Sequence, residues 1–280
     1  MRKNQIIVVY GDNPQGMVKT LLQTIKPEEQ LPRGAKIGLK PNLVIGKPAS
    51  SGATTHPEIV EGIISYFQAK GFHDLRIMEG SWVGEETERA FQVCGYRELA
   101  AKYQVKLVNL KKDDTVKRQV GDISLTVCSS PLEVDYLINL PVLKAHCQTK
   151  LPCALHRLGL HKPIAHLSAI LPTHLTIVDG ICGDLTFEEG GNPVPMGRLF
   201  AGQDPVLIDS YAASLLALDA EDIPYIPMAA ELGVGATSLS AMEIVEVNPE
   251  AKTPGTFRLS RQAQSLAKYI DQRQACSACY

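Results

Sequence analysis

Four short apolar runs without polar alternation each end at a charged residue, and this pattern limits the fold more than any other feature. The runs are IGLK, LRIME, YLINLPVLK and LTIVD, which end at Lys40, Glu79, Lys144 and Asp179. Such runs are typical of strands buried on both faces, as in a parallel sheet covered by helices. Ligands of open α/β sheets bind at the carboxyl ends of strands. We therefore expect the four residues to surround one pocket, together with Asn42 and His146 just beyond two of the runs.

Helix signals alternate with the strands. The clearest is TTHPEIVEGIISYFQAKG, where Thr55 or His56 can cap the helix, Pro57 suits its first turn and Gly71 can end it. Further strands are predicted at ISLTV, YLINL, RLFAG and MEIVEV. This alternation predicts an α/β fold, a mixed and mainly parallel sheet with helices on both faces. The domain is expected to fill residues 1–262, followed by a helical segment over 263–280.

Composition excludes several functional classes. The 280 residues are 45% hydrophobic and carry a net charge of −2, so there is no positive field to attract nucleic acid or an anionic membrane. No run approaches the ~18 apolar residues of a membrane span. Seven cysteines, an odd number at irregular spacing without an export signal, fit reduced thiols in a cytoplasmic protein.

Six fragments resemble one family in both sequence and order. They are LKPNLV, ATTHPEIVEGII, the Glu79-Gly80 strand end with TERAFQVCGY, LPVLKAHCQT, LTIVDGI and AGQDPVLID. The chain resembles the uncharacterised "domain of unknown function 362" family, whose members are sometimes fused to iron–sulfur ferredoxin modules. The resemblance implies site residues at Lys40, Asn42, Thr55, His56, Glu79, Lys144, His146, Asp179 and Asp204. Where many members have Ala-Leu-Lys-Asn, this chain has His156 and Arg157 after Ala-Leu, which puts the role of the usual lysine in doubt.

The loop after Asp179 carries three acids, Asp184, Glu188 and Glu189. Solvated acids on a mobile loop are the common explanation for such residues. The family tends to place a glutamate before glycine, so the resemblance selects Glu189 as a ligand-binding residue.

Histidines and cysteines cluster between residues 144 and 182, which hold eight of the chain's fourteen. Their spacing matches no standard zinc or cluster arrangement. We expect His146 to lie in the crevice. We also expect His156, His161 and His166 to point in different directions, at least one into solvent, because intervals of five residues do not share a helix face.

A Cys-x-x-Cys pair, Cys276 and Cys279, occupies the end of the sequence. Two cysteines cannot hold a four-thiolate site alone. The remaining ligands would come from a partner chain, from Cys147 and Cys153, or from a longer form of the protein, which is the favoured explanation. A 4Fe-4S cluster in that longer form is expected to be the cofactor, and a redox dithiol is the weaker alternative.

The leading hypothesis is an iron–sulfur-associated cytoplasmic protein, an enzyme of redox metabolism that binds a small anionic molecule or a metal ion at the strand ends. A redox protein would be its partner. Two alternatives stay open: a hydroxy-acid isomerase resembling the nickel-pincer lactate racemases, and a non-catalytic electron-transfer or cluster-carrier subunit. The sequence does not decide whether the protein is an enzyme.

The predicted roles follow side-chain chemistry. Lys40 and Lys144 would hold anionic charge, His56 or His146 would transfer a proton, Glu79 and Asp179 would orient them or bind a cation, and Asn42, Thr55, Glu189 and Asp204 would contact a cofactor. A strand-end lysine contributes little to a core, so Lys144→Ala is expected to change ligand binding more than stability.

Overall fold

The computed structural model describes residues 1–146, 149–151, 153, 161–236 and 242–252. The strands are β1 (Gln5–Tyr10), β2 (Ile37–Pro41), β3 (Leu75–Glu79), β4 (Lys106–Asn109), β5 (Thr115–Val120), β6 (Ile123–Cys128), β7 (Tyr136–Leu140), β8 (Leu175–Asp184), β9 (Pro193–Gly202) and β10 (Glu243–Glu246). The α-helices are α1 (Pro14–Ile25), α2 (Pro57–Ala69), α3 (Thr87–Val93), α4 (Tyr96–Tyr103), α5 (His161–Ile170), α6 (Pro205–Leu215) and α7 (Tyr225–Glu231).

Eight of these strands form one sheet in the order β10-β1-β9-β8-β7-β2-β3-β4. All neighbouring pairs are parallel except the two that involve β9, which runs antiparallel to both β1 and β8. The carboxyl ends of the seven other strands therefore share one edge, which we call the carboxyl edge.

Two apolar cores cover the two faces of this sheet. On the first face, α1 to α4 pack against alternate strand residues such as Leu39, Ile77 and Ile177. On the second face, α5, α6 and α7 pack against residues of opposite parity such as Val178. The predicted mixed, mainly parallel sheet with helices on both faces is confirmed.

Local signals explain the predicted helix α2. His56 is its N-cap residue and Pro57 its first residue, where a missing backbone N–H costs nothing. The helix ends before Gly71, whose positive φ of 87° suits glycine and whose N–H bonds to the Gln68 carbonyl at 3.0 Å. The His56 side chain makes no capping bond to the helix, which leaves it available for another partner.

Three details differ from the expectations. The strand ISLTV lies in β6, which pairs only with β5 in a separate two-stranded hairpin; β5 is largely exposed and carries no apolar run to reveal it. Helix α5, which carries Pro163 in its first turn, was not predicted. Helix α7 was not predicted. The boundary at residue 262 and the segment 263–280 lie outside the described residues, so both stay predictions.

Strands β8 and β9 extend past the carboxyl edge as a two-stranded arm. Strand β8 pairs with β7 only at Leu175 and Thr176, yet it continues beside β9 as far as Asp184. The loop that joins them, residues 185–192, consequently returns over the strand ends of the sheet. We call this segment the edge loop.

Candidate functional site

Lys40 and Glu79 meet at the carboxyl edge, on the neighbouring strands β2 and β3. The Lys40 Nζ atom donates to Glu79 Oε2 at 3.0 Å, and the two side chains are 22% and 5% exposed. Glu79 also accepts hydrogen bonds from the backbone N–H groups of Leu43 at 3.3 Å and Gly80 at 2.8 Å. Glu79 is thus held by the fold, whereas Lys40 keeps one side open to solvent.

Asp179 and His56 form a second pair on the first face of the sheet. The Asp179 carboxylate is completely buried and its Oδ2 atom lies 2.8 Å from both the backbone nitrogen and the Nδ1 atom of His56. Its Oδ1 atom accepts the N–H of Ile181 at 3.1 Å. This contact fixes Nδ1 as the protonated nitrogen of a neutral His56 ring and leaves Nε2 as the atom with the lone pair.

Two opposing effects act on the pKa of His56. Burial lowers it, but the hydrogen bond and charge of Asp179, together with the charge of Glu58, outweigh burial and raise the pKa above its ordinary value. A histidine whose ring is oriented by a carboxylate and whose pKa is raised is a stronger proton acceptor than a free imidazole, and its protonated form can return the proton.

Lys144 lies beyond the end of β7 and is fully buried. Its Nζ atom donates to the carbonyl oxygens of Ala53 and Glu188, both at 2.9 Å, and to Asn42 Oδ1 at 3.3 Å. Burial lowers the pKa of Lys144 to about 8, against the opposing charges of Glu188, Glu189 and Glu79. Three protein oxygens account for the three N–H groups of the ammonium.

His146 pairs with Glu188 of the edge loop. Its Nε2 atom lies 2.9 Å from Glu188 Oε2, and its Nδ1 atom accepts the N–H of Thr149 at 3.2 Å. A ring that accepts at Nδ1 carries its proton on Nε2, so both nitrogens of a neutral His146 are in use. This pair is closed within the protein, in contrast to His56.

Thr55 and Asn42 support the geometry of these groups. The Thr55 Oγ1 atom donates to the Leu140 carbonyl at 2.7 Å and accepts the N–H of Asn42 at 2.8 Å. These bonds tie the segment before α2 to the ends of β2 and β7, and the Asn42 side chain reaches Lys144.

Lys47 contributes to the site although no sequence signal marks it. Its Nζ atom donates to the carbonyl oxygens of Glu189 at 2.9 Å and Gly190 at 3.4 Å. Gly190 has a φ of 68°, and a Cβ there would lie 2.5 Å from the Ser51 carbonyl oxygen. Two lysines, Lys47 and Lys144, therefore hold the edge loop by its backbone.

The sequence profile of the family described as "Domain of unknown function (DUF362)" matches residues 37–160 and 154–214. The chain belongs to this family. The chain is similar to the thylakoid-associated protein sll1697 of Synechocystis sp., with 25% identity over 273 residues that cover 85% of this chain and 83% of the relative. A solved structure, the lactate racemase apoprotein from Thermoanaerobacterium thermosaccharolyticum, aligns with a TM-score of 0.43 and 12% identity over 75% of this chain and 56% of that one.

Two residues implied by the DUF362 resemblance lie differently from the rest. Asp204 follows the antiparallel β9, so it sits at the opposite edge of the sheet, where its carboxylate caps α6 through the N–H groups of Val206 and Leu207. Glu189 lies in the edge loop, where its backbone carbonyl contacts Lys47. The acid that contacts His146 is Glu188, the residue before Glu189. Asp184 is fully buried, and its carboxylate organises the loop by accepting the N–H groups of Thr186 and Phe187.

His161 and His166 point to different partners, as their spacing predicts, but neither meets the expectation that at least one of these histidines points into solvent. The ring of His161 stacks on Tyr225 with 5.9 Å between centroids, whereas His166 bonds to the Lys162 carbonyl at 2.8 Å. Neither is fully exposed, since His166 is 6% exposed and His161 is half-buried, and His156 lies outside the described residues. The described part of the DUF362 chain contains no group of three His, Cys, Asp or Glu side chains that could hold a metal.

Cys276 and Cys279 lie outside the described residues, as does Cys147, so their roles as metal ligands stay predictions. Among the residues that can be described, Cys94, Cys128, Cys153 and Cys182 form no disulfide bond. In the same residues, no helix has the length and apolar character needed to cross a bilayer. The cytoplasmic location also stays a prediction.

We expect Asp179→Asn to lower the pKa of His56, measured by NMR titration of the imidazole signals. The folded state favours the protonated ring, so the pair contributes its full stability below the unfolded-state pKa of about 6.5 and loses it as pH rises through the folded-state pKa. The stability difference between wild type and His56→Gln should therefore shrink from pH 6 towards alkaline pH. A difference that grows with pH would contradict the assignment.

We expect Lys144→Met to lower the free energy of unfolding by about 3 kcal/mol, because three acceptors lose a charged donor at a buried position. Chemical denaturation would measure this loss. Lys40→Met, at a partly exposed pair, is the matched control and should cost about 1 kcal/mol or less. This reverses the expectation from the sequence that Lys144 affects stability little, and equal losses in the two variants would refute it.

Proposed function

We propose that this protein is an enzyme that moves a proton to or from a small anionic molecule held at the carboxyl edge of the sheet. The observation that carries the proposal is the contact of His56 with the buried carboxylate of Asp179. A carboxylate that orients one ring nitrogen leaves the other to act as a general base and then as a general acid.

His56 suits this role better than His146. No described residue hydrogen-bonds to His56 Nε2, and its side chain is 15% exposed, so a small molecule can approach it. His146 uses both nitrogens within the protein and would have to break a bond before it could accept a proton. We assign His146 and Glu188 to positioning the edge loop.

The cation that receives the anionic group is Lys40. Lys144 is fully buried and its three N–H groups already have acceptors, so none of them is left to bind a ligand. Lys40 keeps 22% of its side chain exposed while it contacts Glu79. A partly solvated lysine beside a fixed carboxylate can add a second anionic partner with little reorganisation.

Exchange of substrate hydrogen with solvent tests the proposal without knowledge of the product. His56 would take a proton from the carbon beside a carbonyl or carboxylate, the electron pair of the C–H bond would stay on the substrate, and a solvent-derived proton would return. A panel of 2-oxo and 2-hydroxy acids in deuterium oxide, followed by proton NMR, should contain at least one acid that gains deuterium at this carbon. His56→Gln should slow the exchange about a hundredfold or more.

His73→Gln is the matched control, because His73 is exposed and should leave the rate unchanged. The proposal fails if no acid in the panel exchanges or if His56→Gln exchanges as fast as wild type. Exchange that is absent in every variant would favour the non-catalytic electron-transfer or cluster-carrier alternative.

Association with a 4Fe-4S cluster is a separate proposal, supported by the Cys276-x-x-Cys279 sequence and by the family resemblance. Anaerobic reconstitution with iron and sulfide, carried out on a form of the protein that supplies the remaining ligands, should give iron uptake that Cys276→Ser and Cys279→Ser abolish, whereas Cys94→Ser should not. Uptake that survives in both terminal variants would contradict this assignment, and with it the expected redox partner.

The hydroxy-acid isomerase alternative requires a lysine whose amine can carry a modified cofactor. The buried, fully bonded Lys144 does not fit that requirement. Lys40 is the more accessible amine, and mass spectrometry of its tryptic peptide would reveal a covalent modification.

A further inference from the structure

An apolar cavity of about 220 Å³ lies on the second face of the sheet, next to Lys40 and Glu79. Its floor includes Met78 of β3 and Leu137 of β7, and its roof includes Val127 of the β5–β6 hairpin. Leu167 of α5 and Leu171 just beyond it complete the roof.

The cavity exists because the floor and the roof belong to separate apolar clusters. Met78, Val108 and Leu137 form the cluster on the sheet. Val127, Leu167 and Leu171 form the cluster between the hairpin and α5. Protein interiors normally interdigitate to close packing, so two facing apolar layers that stay apart leave room for an apolar guest.

One end of the cavity is polar and carries a net positive charge. Lys40, Glu79 and Lys111 line it. Glu79 is bonded to Lys40 and to two backbone N–H groups. Lys111 Nζ donates to the carbonyl oxygens of Trp82 at 2.9 Å, Val83 at 3.5 Å and Glu85 at 2.6 Å, so it adds positive charge but has no N–H group left for a ligand. Two ammonium groups against one carboxylate favour an anionic head group, and Lys40 is the amine with the weaker second contact, a carbonyl oxygen at 3.4 Å.

We propose that this cavity binds the apolar body of a carboxylate, with the carboxylate group at Lys40. The inference rests on the proposed function, because it names the class of anion that the enzyme takes. A cavity of about 150 Å³ accommodates benzene, so this one suits a body of about six to nine carbons.

Straight-chain carboxylates from butanoate to octanoate test the proposal, with binding followed by calorimetry and by NMR of methyl groups. Affinity should rise about fourfold for each added methylene, the value for burial of one CH₂ group. Methyl signals of Val127, Leu137, Leu167 and Leu171 should shift on binding of hexanoate. Equal affinities along the series, or shifts confined to other methyl groups, would overturn it.

Two variants separate the head group from the body. Lys40→Met should weaken hexanoate about tenfold or more and leave hexan-1-ol unchanged, whereas Lys106→Met, at an exposed lysine on β4, should change neither. Val127→Phe should abolish the dependence of affinity on the chain length of the carboxylate. If this variant does not fold, the methyl shifts of the wild-type protein test the cavity assignment without it. Hexylamine that binds more tightly than hexanoate would overturn the assignment of the head group.

His56→Gln separates this inference from the proposed function. It should bind hexanoate as wild type does, because His56 does not line the cavity. Chain-length-dependent binding without any deuterium exchange would overturn the enzymatic role and leave the cavity assignment intact. Exchange without such binding would overturn only the cavity assignment.

Discussion

Asp179 carries a carboxylate with no exposed surface, and the arrangement of the site depends on how that carboxylate is satisfied. A buried charge is tolerated only when hydrogen bonds replace its water. Two of those bonds come from the backbone and ring of His56, so the start of α2 is fastened to the middle of β8. The backbone of Asp179 also bonds to Leu143, which places Lys144 one residue further on beside the same edge. One residue thus fixes a helix start, a strand and the segment after β7.

The direction of β9 explains why an acidic loop lies over these residues. If β9 ran parallel to β8, the chain between them would cross one face of the sheet as a helix, and the carboxyl edge would stay uncovered. An antiparallel return instead keeps the chain at the edge, where Lys47 and Lys144 bind the carbonyl groups of residues 188–190. The two lysines therefore act on the backbone, which frees the Glu188 side chain to hold His146. The positive charges of these two lysines stabilise a loop and are not available to a substrate.

Periodicity predicted the strands and their polar ends, because apolar runs and the residues that follow them are local properties of the sequence. It could not predict that RLFAG runs antiparallel, which puts Asp204, a site residue implied only by the family resemblance, at the opposite edge of the sheet. It also could not separate Glu188 from its neighbour Glu189, since both look like solvated acids until Gly190 brings the loop against Ser51. Lys47 has no local signal at all. These errors all concern contacts between segments that are distant in sequence.

Side chains alternate between the two faces of the sheet along β2, so the proposed anion site and the proposed proton-transfer residue lie on different faces. Leu39 belongs to the core beneath α2, and the next residue, Lys40, lines the cavity on the opposite face. His56 approaches from the first face, at the start of α2. A molecule whose apolar body filled the cavity would reach the edge only with the atoms next to its carboxylate. Chemistry at His56 would then be confined to those atoms, which are also the ones whose C–H bonds a neighbouring carbonyl or carboxylate makes most acidic.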